Sequence, residues 1–250
     1  MYYIKRVIVM TIKKVCAKTS LTPLKNRKIE YIAVHYTAGT TSKAGTAMNL
    51  AKWFAAGANK DNPVSSDFIV DDADVIQYNE DILNYYAWCV GGKKYPNPTT
   101  SLGGVLYGKA TNRNTISIEV CSSKKNPKSL NANDTDWYFT DAALDNTVQL
   151  VKYLMKKYNV PVERVIMHHH VTGKMCPAMW THNEKELDGW YDFVSQLRDK
   201  TVEQQKQEAI TTKKKMYYVQ VGAFGIRSNA EKYLEQVKKV YPNAFIKESE

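Results

Sequence analysis

From about residue 28 to residue 198, short apolar runs alternate with stripes of helical period. Residues 28–36 begin mixed and turn apolar at Tyr31-Ile-Ala-Val34, predicting a buried strand that delivers His35 at its end and opens into Tyr36-Thr-Ala-Gly39. Ala47, Leu50, Ala51 and Phe54 recur at i, i+3, i+4 and i+7, predicting an amphipathic helix over 45–54. Residues 67–71 and 75–78 flank the turn Asp72-Ala-Asp74 and read as a hairpin. An aromatic segment, Tyr85-Tyr-Ala-Trp-Cys-Val90, ends in Gly91-Gly92 and gives way to a polar loop over 93–108. Over 115–121 the alternation is clean: Ile116, Ile118 and Val120 share one face, Ser117, Glu119 and Cys121 the other. Glu119 is thus a carboxylate in mid-strand, where strand propensity disfavours it. A solvated face or a cleft over that face would each explain it.

Thr140 is a good N-cap for the longest helical stripe, Leu144, Val148, Val151, Met155 and Tyr158, which closes on Lys156-Lys157 at the negative helix end. Residues 160–167 return to a strand that ends on His168, and Leu187, Trp190, Val194 and Leu197 mark a last helix over 184–198, with Trp190 at core spacing. Strands and helices in this order predict an α/β domain, a central mixed sheet flanked by helices. Residues 199–215 are polar and read as a linker. Beyond it, 217–224, 228–240 and 244–247 read as a small β-α-β tail, below the size at which a core usually holds alone. The expected organisation is therefore a 1–27 extension, a 28–198 domain, a 199–215 linker and a 216–250 module.

Composition changes this picture little. The 250 residues are 44% hydrophobic and 24% charged, as in an ordinary globular protein, and no apolar run is long enough to span a bilayer. The apolar run Val7-Ile-Val-Met10 is interrupted at Lys13 and is too short for a signal peptide, so a cytoplasmic chain without membrane insertion is expected. Four cysteines do not make a disulfide framework. The net charge of +10 suits a polyanionic partner, and the chain carries none of the nucleic-acid-binding motifs.

Chemistry concentrates in residues 167–177. Three of five histidines stand in a row there, shortly before Cys176. Imidazole and thiolate are ligands for a borderline-soft ion, and this spacing is wider than that of structural zinc clips. A surface histidine run beside a buried cysteine is the plainer alternative for the stretch taken alone. With His35, Glu119 and Lys174 added, two strand-end histidines and a loop cysteine would leave one tetrahedral position open, beside a base and a cation.

These residues resemble the zinc-dependent N-acetylmuramoyl-L-alanine amidases of the phage-lysozyme and peptidoglycan-recognition-protein type. The resemblance covers roughly 28–198 and rests on Tyr31-Ile-Ala-Val-His-Tyr-Thr-Ala38, Asn114-Thr-Ile-Ser-Ile-Glu119 and His168-His-His-Val-Thr-Gly-Lys-Met-Cys-Pro177. It implies that fold, a Zn²⁺ held by His35, His168 and Cys176, catalytic Glu119 and Lys174, and substrate contacts from Tyr36, Trp88, Cys89 and Asn114. The implied activity is hydrolysis of the amide between N-acetylmuramic acid and L-alanine in bacterial peptidoglycan, as a phage or prophage endolysin. Such an enzyme waits in the cytoplasm for a holin to release it; relatives of this fold that bind peptidoglycan without cutting it are the alternative.

Three positions depart from the family pattern: Ser66 stands near a tyrosine of some members, Cys89 replaces a histidine, and Met167, His169 and His170 replace a more charged set. As a thiol, Cys89 is either a weak substrate contact or a small filler. The tail resembles a truncated SPOR module, a wall-glycan-binding domain.

Overall fold

A computed structural model describes residues 11–15, 17–57, 63–198, 222–239 and 244–246. The chain divides into two compact units, 1–199 and 200–250.

In the first unit six strands form a mixed sheet. In chain order they are β1 (Ile12–Lys14), β3 (Tyr31–Tyr36), β4 (Phe68–Val70), β5 (Val75–Gln77), β7 (Thr115–Val120) and β10 (Val165–Met167), arranged β1-β5-β4-β7-β3-β10. The β4–β5 pair is the antiparallel hairpin expected from its turn, and every other neighbouring pair is parallel. Two small ribbons stand outside the sheet, β2 (Leu21–Pro23) with β6 (Tyr85–Ala87) and β8 (Ser123–Lys124) with β9 (Trp137–Tyr138).

The period of two along β3 decides what covers each face. Ile32 and Val34 join Ile116, Ile118 and Val120 in the main core, under α2 (Asp141–Tyr158) and α4 (Leu187–Leu197). Ala33 points the other way, into a cluster with Val90, Ile166 and Val171. On that other side α1 (Thr46–Ala55) lays Ala47, Ala51 and Phe54 on Ile69 and Ile76. Its N-terminus is fastened from the hairpin, where the Asp71 carboxylate accepts from the Ala47 N–H at 2.9 Å and from two turn amides.

Thr140 caps α2 as expected, its hydroxyl accepting from the Ala143 N–H. The buried face is set one position away from the expected stripe. Ala143, Thr147, Leu150, Val151 and Leu154 are buried, and Leu144, Val148 and Met155 only partly, because α2 lies between the sheet and α4 and both flanks of its apolar arc are covered. A similar shift puts Phe193 rather than Val194 in the core beside Trp190, a packing residue that stacks with Phe193 and meets Trp180 at a tilt.

The segment read as an N-terminal extension is partly built into the domain. β1 pairs with β5, and Arg27 is buried at the centre of a carbonyl cage. Its guanidinium donates to the carbonyls of Ile82, Tyr85, Asn112, Arg113 and Thr115, and its Nη1 lies 3.9 Å from Asp67 Oδ1. Asp67 accepts in turn from the Ser117 N–H and from Asn79. No apolar period signals such a residue, which is why it fell outside the expected domain.

In the second unit the helix Arg227–Lys238 is present, with Phe224 against Tyr233 at 5.3 Å and Arg227 paired to Glu231. Residues 222–224 and 244–246 carry no strand; the rest of the two strand readings, and the linker, lie outside the described residues. Among the described residues no helix is long and apolar enough to cross a membrane.

Arg27→Ala would strand five carbonyls and a buried carboxylate, at a cost of about 3–5 kcal/mol. Urea unfolding should show the loss. Arg27→Lys should recover only part of it, since an ammonium cannot reproduce the planar five-donor fork.

Candidate active site

The site stands at the carboxyl ends of three parallel strands. β3 and β7 pair so that His35 lies directly opposite Glu119, and β10 pairs with β3 so that Met167 lies opposite Val34. His168 follows at once, as the first residue of the short helix α3 (His168–Thr172). α3 ends at Gly173 in a left-handed conformation (φ 82°), which turns the chain back and carries Lys174 and Cys176 to the same corner. Open α/β sheets commonly bind their ligands at this end.

Here the Cys176 sulfur lies 3.7 Å from His35 Nδ1, and the His35 and His168 rings meet edge to face at 4.9 Å. One ligand-capable atom from each of His35, His168 and Cys176 falls within 4.8 Å of the others, and all three residues are buried. His35 Nε2, His168 Nε2 and Glu119 Oε2 are buried without a hydrogen-bond partner. Orphaned polar atoms of this kind are rare in a folded core because each forfeits its hydration. Two buried imidazoles beside a thiol, each ring with an unpartnered nitrogen, are a donor set that suits a soft divalent cation, so the residues fit a metal.

The electrostatics agree. Burial drives His35 well below the ordinary imidazole pKa, with His168 and Lys174 adding to the effect. Burial and Lys174 take His168 to about 3, so both rings are neutral at pH 7, the form that ligates. Burial, with Glu119 adding, raises the Cys176 thiol to about 12. Desolvation raises Glu119 to about 7, against the opposing pull of its Cys89 hydrogen bond and of Lys174. Lys174 itself is exposed, and it is the cation acting on all four groups.

The other expected contacts divide. Trp88 stands at the rim, 42% exposed, its indole N–H held by Thr22 Oγ1 at 2.8 Å. Cys89 is in the site as well, half-buried, with its sulfur 3.5 Å from Glu119 Oε1. Tyr36 is not a surface contact. Period two turns its ring away from His35 into the core against Trp137, and its contribution is a backbone bond to the Cys176 sulfur. Asn114 is not in the site either. It precedes β7, at the opposite end of that strand from Glu119, and bonds Glu30, Lys109 and Thr111 as a turn residue. Ser66 is fully buried, and its hydroxyl is committed to the carbonyls of Phe68 and Ser117.

Two supporting residues were not legible in the sequence beyond their position beside His168. His169 bridges Thr100 Oγ1 and the Lys174 carbonyl, each at 2.8 Å, and so ties the 93–108 loop to the Lys174–Cys176 turn. His170 Nδ1 accepts from the Met167 N–H, and its ring packs on Trp190. Both roles depend on contacts across the fold that no spacing encodes.

Known proteins point the same way. The family described as N-acetylmuramoyl-L-alanine amidase matches residues 25–179, more than half of the chain, and the SPOR domain matches residues 183–249. The SPOR match begins upstream of the expected module and takes in α4, whose apolar face belongs to the first unit's core. The N-acetylmuramoyl-L-alanine amidase CwlH of Bacillus subtilis (strain 168) is 30% identical over 165 residues, covering 66% of this chain and 51% of that protein. CwlL of Bacillus licheniformis, also named an N-acetylmuramoyl-L-alanine amidase, is 27% identical over 189 residues, covering 72% and 44%. The chain thus spans about half the length of the curated relatives it matches.

Among solved structures, PlyL is 25% identical with a TM-score of 0.52, covering 77% of this chain and 100% of its own. A mutant endolysin from Bacillus subtilis is 26% identical with a TM-score of 0.50, covering 76% and 99%. With the sheet and the His-His-Cys corner already in place, the family match over residues 25–179 settles that this chain belongs to the N-acetylmuramoyl-L-alanine amidase family.

Proposed function

We propose that the chain is a zinc-dependent amidase that hydrolyses the bond between N-acetylmuramic acid and L-alanine in bacterial peptidoglycan, in the setting of a phage or prophage endolysin. The observation that carries this reading is the buried corner where His35, His168 and Cys176 converge, two imidazole nitrogens unpartnered, beside a carboxylate. The similarity to CwlH, CwlL and the endolysin structure supports it, as does the SPOR match for a wall-binding tail.

His35, His168 and Cys176 would hold the ion, which when bound supplies Lewis acidity toward the amide carbonyl and acidifies water. Glu119, raised to about 7 by burial, is poised to take a proton from water near neutral pH and return it to the leaving amine. Lys174, exposed at the turn before Cys176, supplies positive charge where the tetrahedral oxyanion develops. Trp88 offers a half-exposed aromatic face at the rim for a sugar or stem-peptide contact. The net charge of +10 favours approach to an anionic wall. Release to that wall through a pore made by a holin completes the reading.

Mass analysis of peptidoglycan digested by the zinc-loaded protein tests it. Free L-alanine amino termini should appear together with intact glycan strands; binding to the wall with no new amino termini would make the chain a non-hydrolytic binder. Cys176→Ser should abolish zinc loading and digestion together, and a fully active, metal-free variant would remove zinc from the mechanism. Glu119→Gln should keep its zinc yet lose about 10²–10⁴-fold in turnover, whereas an unchanged rate would place the base elsewhere.

A further inference from the structure

The 93–108 loop contains no helix or strand, yet it is fastened along its length to α3 and to the turn that follows. So short a helix leaves carbonyls without intrahelical donors, and the loop supplies them. The amides of Tyr95, Gly104 and Leu106 donate to the carbonyls of Thr172, His169 and His170 at 2.7, 2.9 and 2.8 Å. The approach is close enough to require glycine. A Cβ at Gly103 would fall 2.1 Å from Pro98 Cβ and 2.9 Å from His169 Nε2, and one at Gly173 would fall 3.1 Å from Pro98 Cβ.

One side chain passes through the middle of this contact. His169 is fully buried, and both of its ring nitrogens are used. The Lys174 carbonyl can only accept, so Nδ1 carries the hydrogen; Nε2 is then the acceptor and the Thr100 hydroxyl its donor, each bond 2.8 Å long. The His169 N–H also donates to the Cys176 carbonyl at 3.0 Å. The other polar contacts of Lys174 are local: its N–H donates to Thr172 Oγ1 at 3.3 Å, and its carbonyl accepts from the Cys176 N–H at 2.8 Å. Its side chain is exposed and, among the described residues, its ammonium has no hydrogen-bond or ion-pair partner. The point from which that charge acts is therefore set by the backbone of residue 174, and the His169 ring ties this backbone to the loop.

We propose that His169 and Thr100 are positioning residues: acting through the Lys174 carbonyl, they fix where the Lys174 ammonium stands relative to the oxyanion it stabilises. This rests on the role given to Lys174 above. A long side chain reaches many places, and a charge spread over them stabilises a transition state less than one kept beside it. Anchoring the carbonyl fixes the direction in which the side chain leaves the turn. Both residues are buried, out of reach of substrate, and neither changes its protonation in this role. Their effect falls on turnover, because the oxyanion is absent from the bound ground state.

The test is a double-mutant cycle on turnover of peptidoglycan by the full, zinc-loaded chain, with bound zinc measured alongside. Lys174→Met, which keeps the length and removes the charge, should lower kcat by roughly 10²–10³-fold, the loss typical of one oxyanion donor. His169→Gln, which reaches Thr100 but not the Lys174 carbonyl, should keep its zinc and lower kcat by roughly 10–10²-fold at unchanged KM. His169→Asn, whose amide can donate from near the place of Nδ1, should recover most of that loss. In the Lys174→Met background His169→Gln should cost nothing more. Thr100→Val, with a smaller loss that also vanishes in that background, runs the same cycle where His169→Gln fails a circular-dichroism check of folding. Unchanged turnover in His169→Gln, an equal loss with and without the Lys174 charge, a change confined to KM, or loss of bound zinc each overturns the proposal and leaves the role of Lys174 standing. Unchanged turnover in Lys174→Met overturns both.

Discussion

The parallel pairing of β10, β3 and β7 is the constraint on which the site depends. A parallel ladder fixes which residues lie side by side, and here it sets His35 against Glu119 and stops β10 one residue before His168. Because side chains alternate along a strand, a slip of one residue in β3 would put Tyr36 at the corner and turn His35 into the core under α2. The apolar residues that hold the register are those that face the core: Ile32 and Val34 on β3, Ile116, Ile118 and Val120 on β7. The site's geometry is therefore a by-product of core packing, which explains how three groups with unpartnered polar atoms can be kept buried together.

Two buried polar side chains tie distant segments of the domain together through backbone carbonyls. Arg27 gathers five carbonyls from the segments that flank β6 and precede β7. His169 joins the loop at Thr100 to the turn at Lys174. Buried polar hubs are costly when half satisfied and rigid when fully satisfied, and these are satisfied. His169 fixes the 93–108 loop beside the Lys174–Cys176 turn, and Arg27 fixes the segments at the opposite end of β7.

Of the departures from the family pattern, Cys89 faces the site, while Ser66, Met167, His169 and His170 pack or hydrogen-bond around it. Glu119 is the pivot: it faces His35 across the ladder, accepts from the Cys89 thiol, and is raised by burial with Cys89 and Lys174 opposing. A cysteine at position 89, on the segment after β6, brings a thiol to 3.5 Å from that carboxylate.

The sequence by itself determined the main elements and the candidate ligands of the site. Apolar runs ending on histidine, the alternation around Glu119, the Thr140 cap and the hairpin turn are local signals, written in spacings of two and 3.6 residues. His35, His168 and Cys176 stood out as candidate ligands through their strand-end and loop positions together with the family resemblance, since the histidine run taken alone also fits a surface run beside a buried cysteine. What only the tertiary structure decided was how positions share space. Asn114 and Glu119 belong to one motif, yet the strand's length puts them at opposite ends of β7. Tyr36 sits beside a ligand in sequence, but the pleat turns its ring into the core. Arg27 lies before the first apolar run and is nonetheless central, because carbonyls from distant segments converge on it. Cys89 looked like a weak contact or a filler until the fold set it against Glu119. Periodicity records which face a residue takes, and only the closed fold establishes what waits on the other side of that face.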